Sequence, residues 1–290
     1  MPVSALTLLA LVAFAANSIL CRLALRSGSI DPASFSAVRI ASGAAVLLFL
    51  MRLRRTGRMA GSWRSAAWLV LYAVPFSIAY LHLGAGTGAL LLFGAVQVTM
   101  VVAAILRGRR PSMVQWYGLA LALAGLVYLF LPGLTAPAPL SAALMLAAGI
   151  AWGCYSLAGH GASDALAETA GNFAWAVPLV VAFWFGARSG VHAQPAGIGW
   201  ALVSGAVTSG LGYAIWYRAL PHLTSVTAAI VQLAVPILAA VGGVVLLDER
   251  VTVRLLIASA LVLGGIALTI RGEPGRRDPR PASAPAGPGG

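Results

Sequence analysis

GYAIWYRALPHLTSVTAAIVQLAVPILAAVGGVVLLDERVTVRLLIASALVLGGIALT, residues Gly212 to Thr269, carries the plan of the whole chain. It is an apolar run, a second long apolar run broken by Gln232 and Pro236, a short charged turn DER, and a third apolar run rich in small residues. A looser copy occupies Phe76 to Leu131: an apolar run, then GAVQVTMVVAAIL with Gln97, the charged turn RGRRPS, and an apolar run containing Gly118 and Gly125. Internal repetition in a long hydrophobic chain points to two corresponding halves.

Working outward, composition sets the class. With 60% hydrophobic and 9% charged residues over 290 positions, the chain is far too apolar for an ordinary soluble domain and reads as an all-α integral membrane protein. The formal charge of +12 does not signal nucleic acid. All the basic residues other than His are Arg, and they gather in short loops between apolar segments instead of forming one face.

Apolar segments of about 17 to 25 residues recur, each long enough to cross a hydrocarbon layer of roughly 30 Å as a helix. They are Val3 to Arg22, Pro32 to Met51, Ser65 to Leu83, Thr87 to Leu106 and Met113 to Leu131, then Leu140 to Ala158, Glu168 to Ala187, Gly197 to Ala219, Leu223 to Leu247 and Val253 to Ile270. The first resembles a signal peptide at AFAA, but no positive residue precedes it, so it reads as a retained helix. The Pro-rich segment 132–139 divides the chain, giving units 3–131 and 140–271. Residues 272–290 are too poor in apolar side chains to fold and read as a disordered tail.

The expected architecture is therefore ten transmembrane helices as two five-helix repeats. An odd number per half forces the second half to cross the membrane in the opposite sense. Loop charges agree. Arg52, Arg54, Arg55, Arg58 and Arg64 follow the second segment, whereas Arg188 and His192 follow the seventh. Arg107, Arg109 and Arg110 follow the fourth, whereas the turn after the ninth balances Asp248 and Glu249 against Arg250 and Arg254. Placing both termini in the cytoplasm puts most arginines inside, as the positive-inside rule requires of an inner (plasma) membrane protein. Arg22 and Arg26 dissent, since they follow the first segment on the outer side. Cys21 near the outer end and Cys154 deeper in the membrane are too far apart in this topology for a disulfide.

The two-half layout, the turns RGRRPS and DERVT, the glycine-bearing helices after them and Arg39 in the second segment resemble the EamA family of the drug/metabolite transporter superfamily. The resemblance covers residues 3–271. It departs from the family pattern in the first segment, where Phe14, Ala15, Ala16 and Asn17 stand in place of a Trp-Gly pair, while Trp152 and Gly153 keep that pair in the sixth. The acidic residue usual in both turns survives as Glu249 and is Arg109 in the first half. The resemblance implies a ten-helix carrier with a central cavity, exporting small metabolites such as amino acids. The expected partners are the lipid bilayer and a small-molecule substrate, with the chain a monomer or homodimer.

Polar residues inside apolar segments are costly in lipid and tend to face a bundle interior. Arg39 lies roughly 10 to 12 Å into the second segment at 1.5 Å per residue. Two roles fit it: snorkelling to headgroups or helix-end carbonyls, and binding a substrate carboxylate at a cavity wall. Aligning Asp31 with Asp164 sets Asn172 opposite Arg39. Asn17 and Asn172 suit either substrate binding or interhelical hydrogen bonds, as do Gln97 and Gln232 at mid-depth. Pro236 frees the Gln232 carbonyl, which makes it a candidate hinge. Among the aromatics Trp152, Tyr155, Trp175, Tyr213, Trp216 and Tyr217, helical spacing pairs Trp152 with Tyr155 and Tyr213 with Trp216. The candidate substrate-binding set is Asn17, Arg39, Gln97, Trp152, Tyr155, Asn172, Tyr213 and Gln232.

Every Asp and Glu falls at a segment end, in a loop or in the tail, which disfavours a pump built on a membrane carboxylate. No HExxH, nucleotide-binding glycine loop or catalytic triad is written in the chain, so no enzyme chemistry, metal or cofactor is expected. The alternative to a carrier is a membrane-embedded enzyme or lipid-handling protein using the same cavity.

Overall fold

In a computed structural model, residues 1–55, 59–106, 112–131, 136–159, 162–187, 190–223, 228, 231–232 and 234–271 are described. These form α1 (Val3–Arg26), α2 (Pro32–Arg54), α3 (Trp63–Ala79), α4 (Ala85–Leu106), α5 (Met113–Phe130), α6 (Pro139–Gly159) and α7 (Ala165–Gly186). Next comes a helical run, Pro195–His222, made of α8 (Pro195–Val203), a π-helical stretch (Ser204–Leu211), α9 (Gly212–Ala219) and a closing 3-10 turn. α10 (Ala234–Leu247) and α11 (Val253–Arg271) complete the order. Six of these helical runs are long and apolar enough to cross a membrane by length and composition. The loop 107–111, the tail 272–290, Arg58 and Arg188 fall outside the described residues.

Local chemistry starts the helices where the sequence permits. Asp31 accepts from the Ala33 and Ser34 backbone N–H groups at 2.9 Å each, and Pro32 occupies a first-turn position whose N–H would be unpaired anyway. Asp164 caps α7 in the same way. Ser62 caps α3, and Ser112 forms a reciprocal box with Gln115 on α5.

Packing is pairwise and close. α3 lies on α6 and α7, whereas the Pro195–His222 run lies on α1 and α2. α2 packs on α7, α4 on α6 and α10, α1 on α10, and α5 on α11. Gly149 and Gly153 let α6 approach α4 at Leu92 and Thr99, as small residues allow in membranes.

Two departures from the sequence boundaries matter. α1 continues through Arg22 to Arg26. Arg22 donates to Glu249 at 3.2 Å and to the carbonyls of Tyr80 and Leu81 at 2.8 and 2.9 Å, while Arg26 donates to the Leu247 carbonyl. Glu249 also accepts from Ala85 N–H at 2.7 Å. The two arginines that dissented from the charge rule are thus held by a clamp of α1, the α3–α4 turn and the end of α10. The second departure is the π-helical stretch in place of a continuous α-helix. Both cysteines are free.

Candidate functional site

Arg39 sits eight residues into α2 and is wholly buried. Its Nε donates to Ser209 Oγ at 2.8 Å, and its Nη2 donates to Tyr72 Oη at 3.0 Å and Tyr213 Oη at 2.6 Å. The guanidinium carbon stands 5.1 Å from the ring centres of both Tyr72 and Phe76. All these partners are neutral. Among the described residues the ion pair formed is Arg22 with Glu249, and Nη1 of Arg39 has no hydrogen-bond partner. Of the five donors a guanidinium carries, the two on Nη1 remain unused.

Asn17 extends the network from α1. Its Nδ2 donates to Tyr72 Oη at 3.2 Å, and its Oδ1 accepts from Ser204 at 2.7 Å and Thr208 at 3.2 Å. Tyr213 donates to Tyr72 at 3.1 Å. The π-helical stretch explains why one helix supplies Ser204, Thr208, Ser209 and then Tyr213: its wider turn brings Ser204, Thr208 and Ser209 onto one face, against Asn17 and Arg39. Gly205 lets this stretch lie directly on α2, since a Cβ there would meet the Arg39 carbonyl and Ser42 Oγ.

Aromatic rings wall this polar centre. Trp152 lies 4.6 Å from Tyr213 and 5.1 Å from Tyr72, and stacks with Tyr155 at 5.5 Å. Phe14 meets Trp152, Tyr213 and Trp216 edge-on. Phe173 adds α7 at 5.8 Å from Tyr213. Trp152 Nε1 donates to Gln232 Oε1 at 3.3 Å, and Gln232 donates back to the Ala228 carbonyl at 3.0 Å.

The structure therefore gathers Asn17, Arg39, Trp152, Tyr155, Tyr213 and Gln232 into one buried cluster. Gln97 is buried on α4. Asn172 lies beside the Tyr155 hydroxyl at the edge of that cluster and also holds the segment before α3. Its Oδ1 accepts from Ser62 N–H at 3.0 Å, pinning the segment before α3 to α7, where Glu168 also receives Gly61 N–H. Trp175 leaves the aromatic group, being 37% exposed and set against Trp63 at 4.4 Å. Pro236 is buried in α10, and any kink at residue 233 lies outside the described residues.

Sequence reading missed Tyr72, Phe76, Ser204, Thr208 and Ser209. Tyr72 and Phe76 carried a weak signal in their i, i+4 spacing. The small hydroxyl residues carried none, because Ser and Thr satisfy themselves on their own helix in any apolar segment.

Comparison with known proteins follows this geometry. Residues 139–271 match the model of the EamA-like transporter family. An uncharacterized protein of Pseudomonas aeruginosa is 50% identical over 273 residues, covering 93% of this chain and 95% of that one. A Streptantibioticus cattleyicolor protein named "Probable terminal-alkyne amino-acid exporter" is 29% identical over 231 residues, covering 76% and 75% of the two chains. A solved crystal structure shares the fold with a TM-score of 0.63 at 20% identity, covering 90% of this chain and 94% of that one. The chain belongs to the EamA-like transporter family of the drug/metabolite transporter superfamily and is a multi-pass membrane protein.

Proposed function

We propose that this transporter is a secondary carrier that exports small amphipathic carboxylates, amino acids among them, by alternating access around the Arg39 cluster. The observation that carries the reading is the buried Arg39 charge, with neutral partners and two unused donors on Nη1. A guanidinium taken out of water without a counter-charge is strongly disfavoured, and ionisable groups persist inside membrane bundles where function needs them. A substrate carboxylate supplies the missing anion in the geometry that arginine matches. The rings of Phe14, Trp152 and Tyr213 then offer an apolar wall for the rest of the molecule. The exporter name of the Streptantibioticus relative agrees with this substrate class and direction.

The moving parts are two inverted five-helix halves within ten spans, residues 3–131 and 140–271, α3, α5, α10 and α11 completing the count. Helix packing supports this. Exchanging the halves turns the contacts of α3 with α6 and α7 into those of the Pro195–His222 run with α1 and α2. Arg52, Arg54 and Arg55 at one end support cytoplasmic termini in an inner membrane. A monomer has the whole cluster within one chain, and a homodimer adds nothing the site requires.

The test is counterflow in proteoliposomes with a panel of amino and keto acids beside their neutral amides. Carboxylates should exchange and the amides should not. Equal movement of an acid and its amide, or no movement of any acid, overturns the proposal.

A further inference from the structure

A cavity lies at the end of the bundle where α1 and α7 begin and α2 and the Pro195–His222 run end. Its volume is about 720 Å³. The deeper wall is apolar, formed by Leu6, Leu9, Leu50, Leu211 and Ile215. Arg54 and Arg218 stand at the mouth and are exposed. From Leu211 to Arg218 the wall rises roughly 10 Å at 1.5 Å per residue, so the lining changes from apolar to basic over about one third of a bilayer core.

Neither arginine forms an ion pair among the described residues. Asp164 shares the mouth, but its Oδ1 is committed to the Leu166 and Ala167 N–H groups that start α7. Leu211, Ile215 and Arg218 lie on the face of the Pro195–His222 run turned away from the buried Tyr213 and Trp216, so the cavity opens beside Arg39 and not onto it, while Tyr217, which donates to the Tyr155 carbonyl at 3.0 Å, stands between the cavity and the central cluster.

We infer that this cavity is a binding site for an anionic phospholipid of the adjoining leaflet, with the headgroup phosphate on Arg54 and Arg218 and an acyl chain along Leu9, Leu50 and Ile215. The charge gradient matches an amphiphile lying parallel to the helices: anionic head at the interface, hydrocarbon toward the midplane. Basic pockets between transmembrane helices recognise such headgroups by this combination. The site is independent of the carboxylate reading, because none of its residues hydrogen-bonds Arg39.

The experiment uses the full chain in neutral detergent, titrated with phosphatidylglycerol, phosphatidylcholine or inorganic phosphate while its melting temperature and its native mass spectrum are followed. Phosphatidylglycerol should raise the melting temperature and survive as a discrete adduct, and the other two should not. The double variant R54Q/R218Q, altered only at exposed positions, should weaken the phosphatidylglycerol response about 30-fold, from the typical contribution of a basic side chain at an anionic lipid surface. Equal stabilisation by phosphatidylcholine, an unchanged response in the double variant, or stabilisation by inorganic phosphate alone overturns the inference.

Discussion

Replacing Arg39 with Met separates a substrate anchor from a structural residue, because the two roles give opposite signs in two assays. The substitution keeps a long flexible side chain among Phe76, Tyr72 and Tyr213 but removes the charge and three hydrogen bonds. The abandoned groups are hydroxyls, and they re-pair: Tyr213 already donates to Tyr72, and Ser209 lies 3.4 Å from Asn17 Oδ1. Because the lost charge has no counter-ion, its removal costs little, and replacing buried ionic groups by apolar ones is often neutral or stabilising by about 1–4 kcal/mol. Melting temperature should therefore hold or rise. Substrate binding behaves oppositely, since truncating one partner of a buried charge pair costs about 2–5 kcal/mol, a loss of roughly 30- to several-thousandfold in affinity. The assays are ligand-induced thermal shift and proteoliposome counterflow on the same preparation. A variant that melts much lower, or that moves carboxylates as the parent does, refutes the reasoning. Arg39→Lys should fall between, since lysine keeps the charge but not the planar fork.

Three further outcomes follow from particular contacts. Glu249→Gln removes the charge that Arg22 meets while keeping an acceptor for Ala85 N–H, which should cost about 1 kcal/mol and loosen the clamp; in a Cys154→Ala background, buried Cys21, one residue before Arg22, should then react faster with a maleimide, and an unchanged rate would show that the ion pair does not hold this end of α1 closed. Gly205→Ala drives a methyl group into the Arg39 carbonyl and should destabilise by about 1–3 kcal/mol, read as a lower melting temperature, whereas Gly199→Ala, with open space around it, should be neutral. Asp31 is pushed up by burial, but hydrogen bonds from Ser34, His192 and Ala33 outweigh this and hold its carboxyl below the ordinary value. A depressed folded pKa contributes stability above the unfolded value, near pH 4, and that contribution is lost as pH falls through the folded pKa. Asp31→Ala should thus lower the melting temperature at neutral pH, by about 1 kcal/mol of stability, and flatten its decline in acid; an unchanged acid limb would argue against this assignment.

Much of the site was legible because a polar residue in an apolar segment stands out whatever the fold. Arg39, Asn17 and Gln232 announced themselves by cost alone; of the aromatics paired by helical spacing, Trp152 stacks on Tyr155, while Tyr213 and Trp216 each meet Phe14. Asn172 passed the same test and lies beside Tyr155, yet its Oδ1 holds the segment before α3, because periodicity reports that a side chain faces protein but not which groups it will meet. Trp175 shows the same limit: its type suited the aromatic group, and its direction around α7 took it to Trp63.

The amino-acid order by itself determined that the chain is a helical membrane protein and, to within a few residues, where α2, α3, α6 and α7 begin, since these follow from segment length and capping residues. Only the tertiary structure decided which polar groups meet. Tyr72 and Tyr213 are 141 positions apart and Arg22 and Glu249 are 227 apart, and such contacts depend on helix rotation and packing depth. The π-helical turn is the clearest case. One extra residue per turn re-aims Ser209 toward Arg39, and no local pattern of Ser, Gly and Thr distinguishes that turn from an ordinary one.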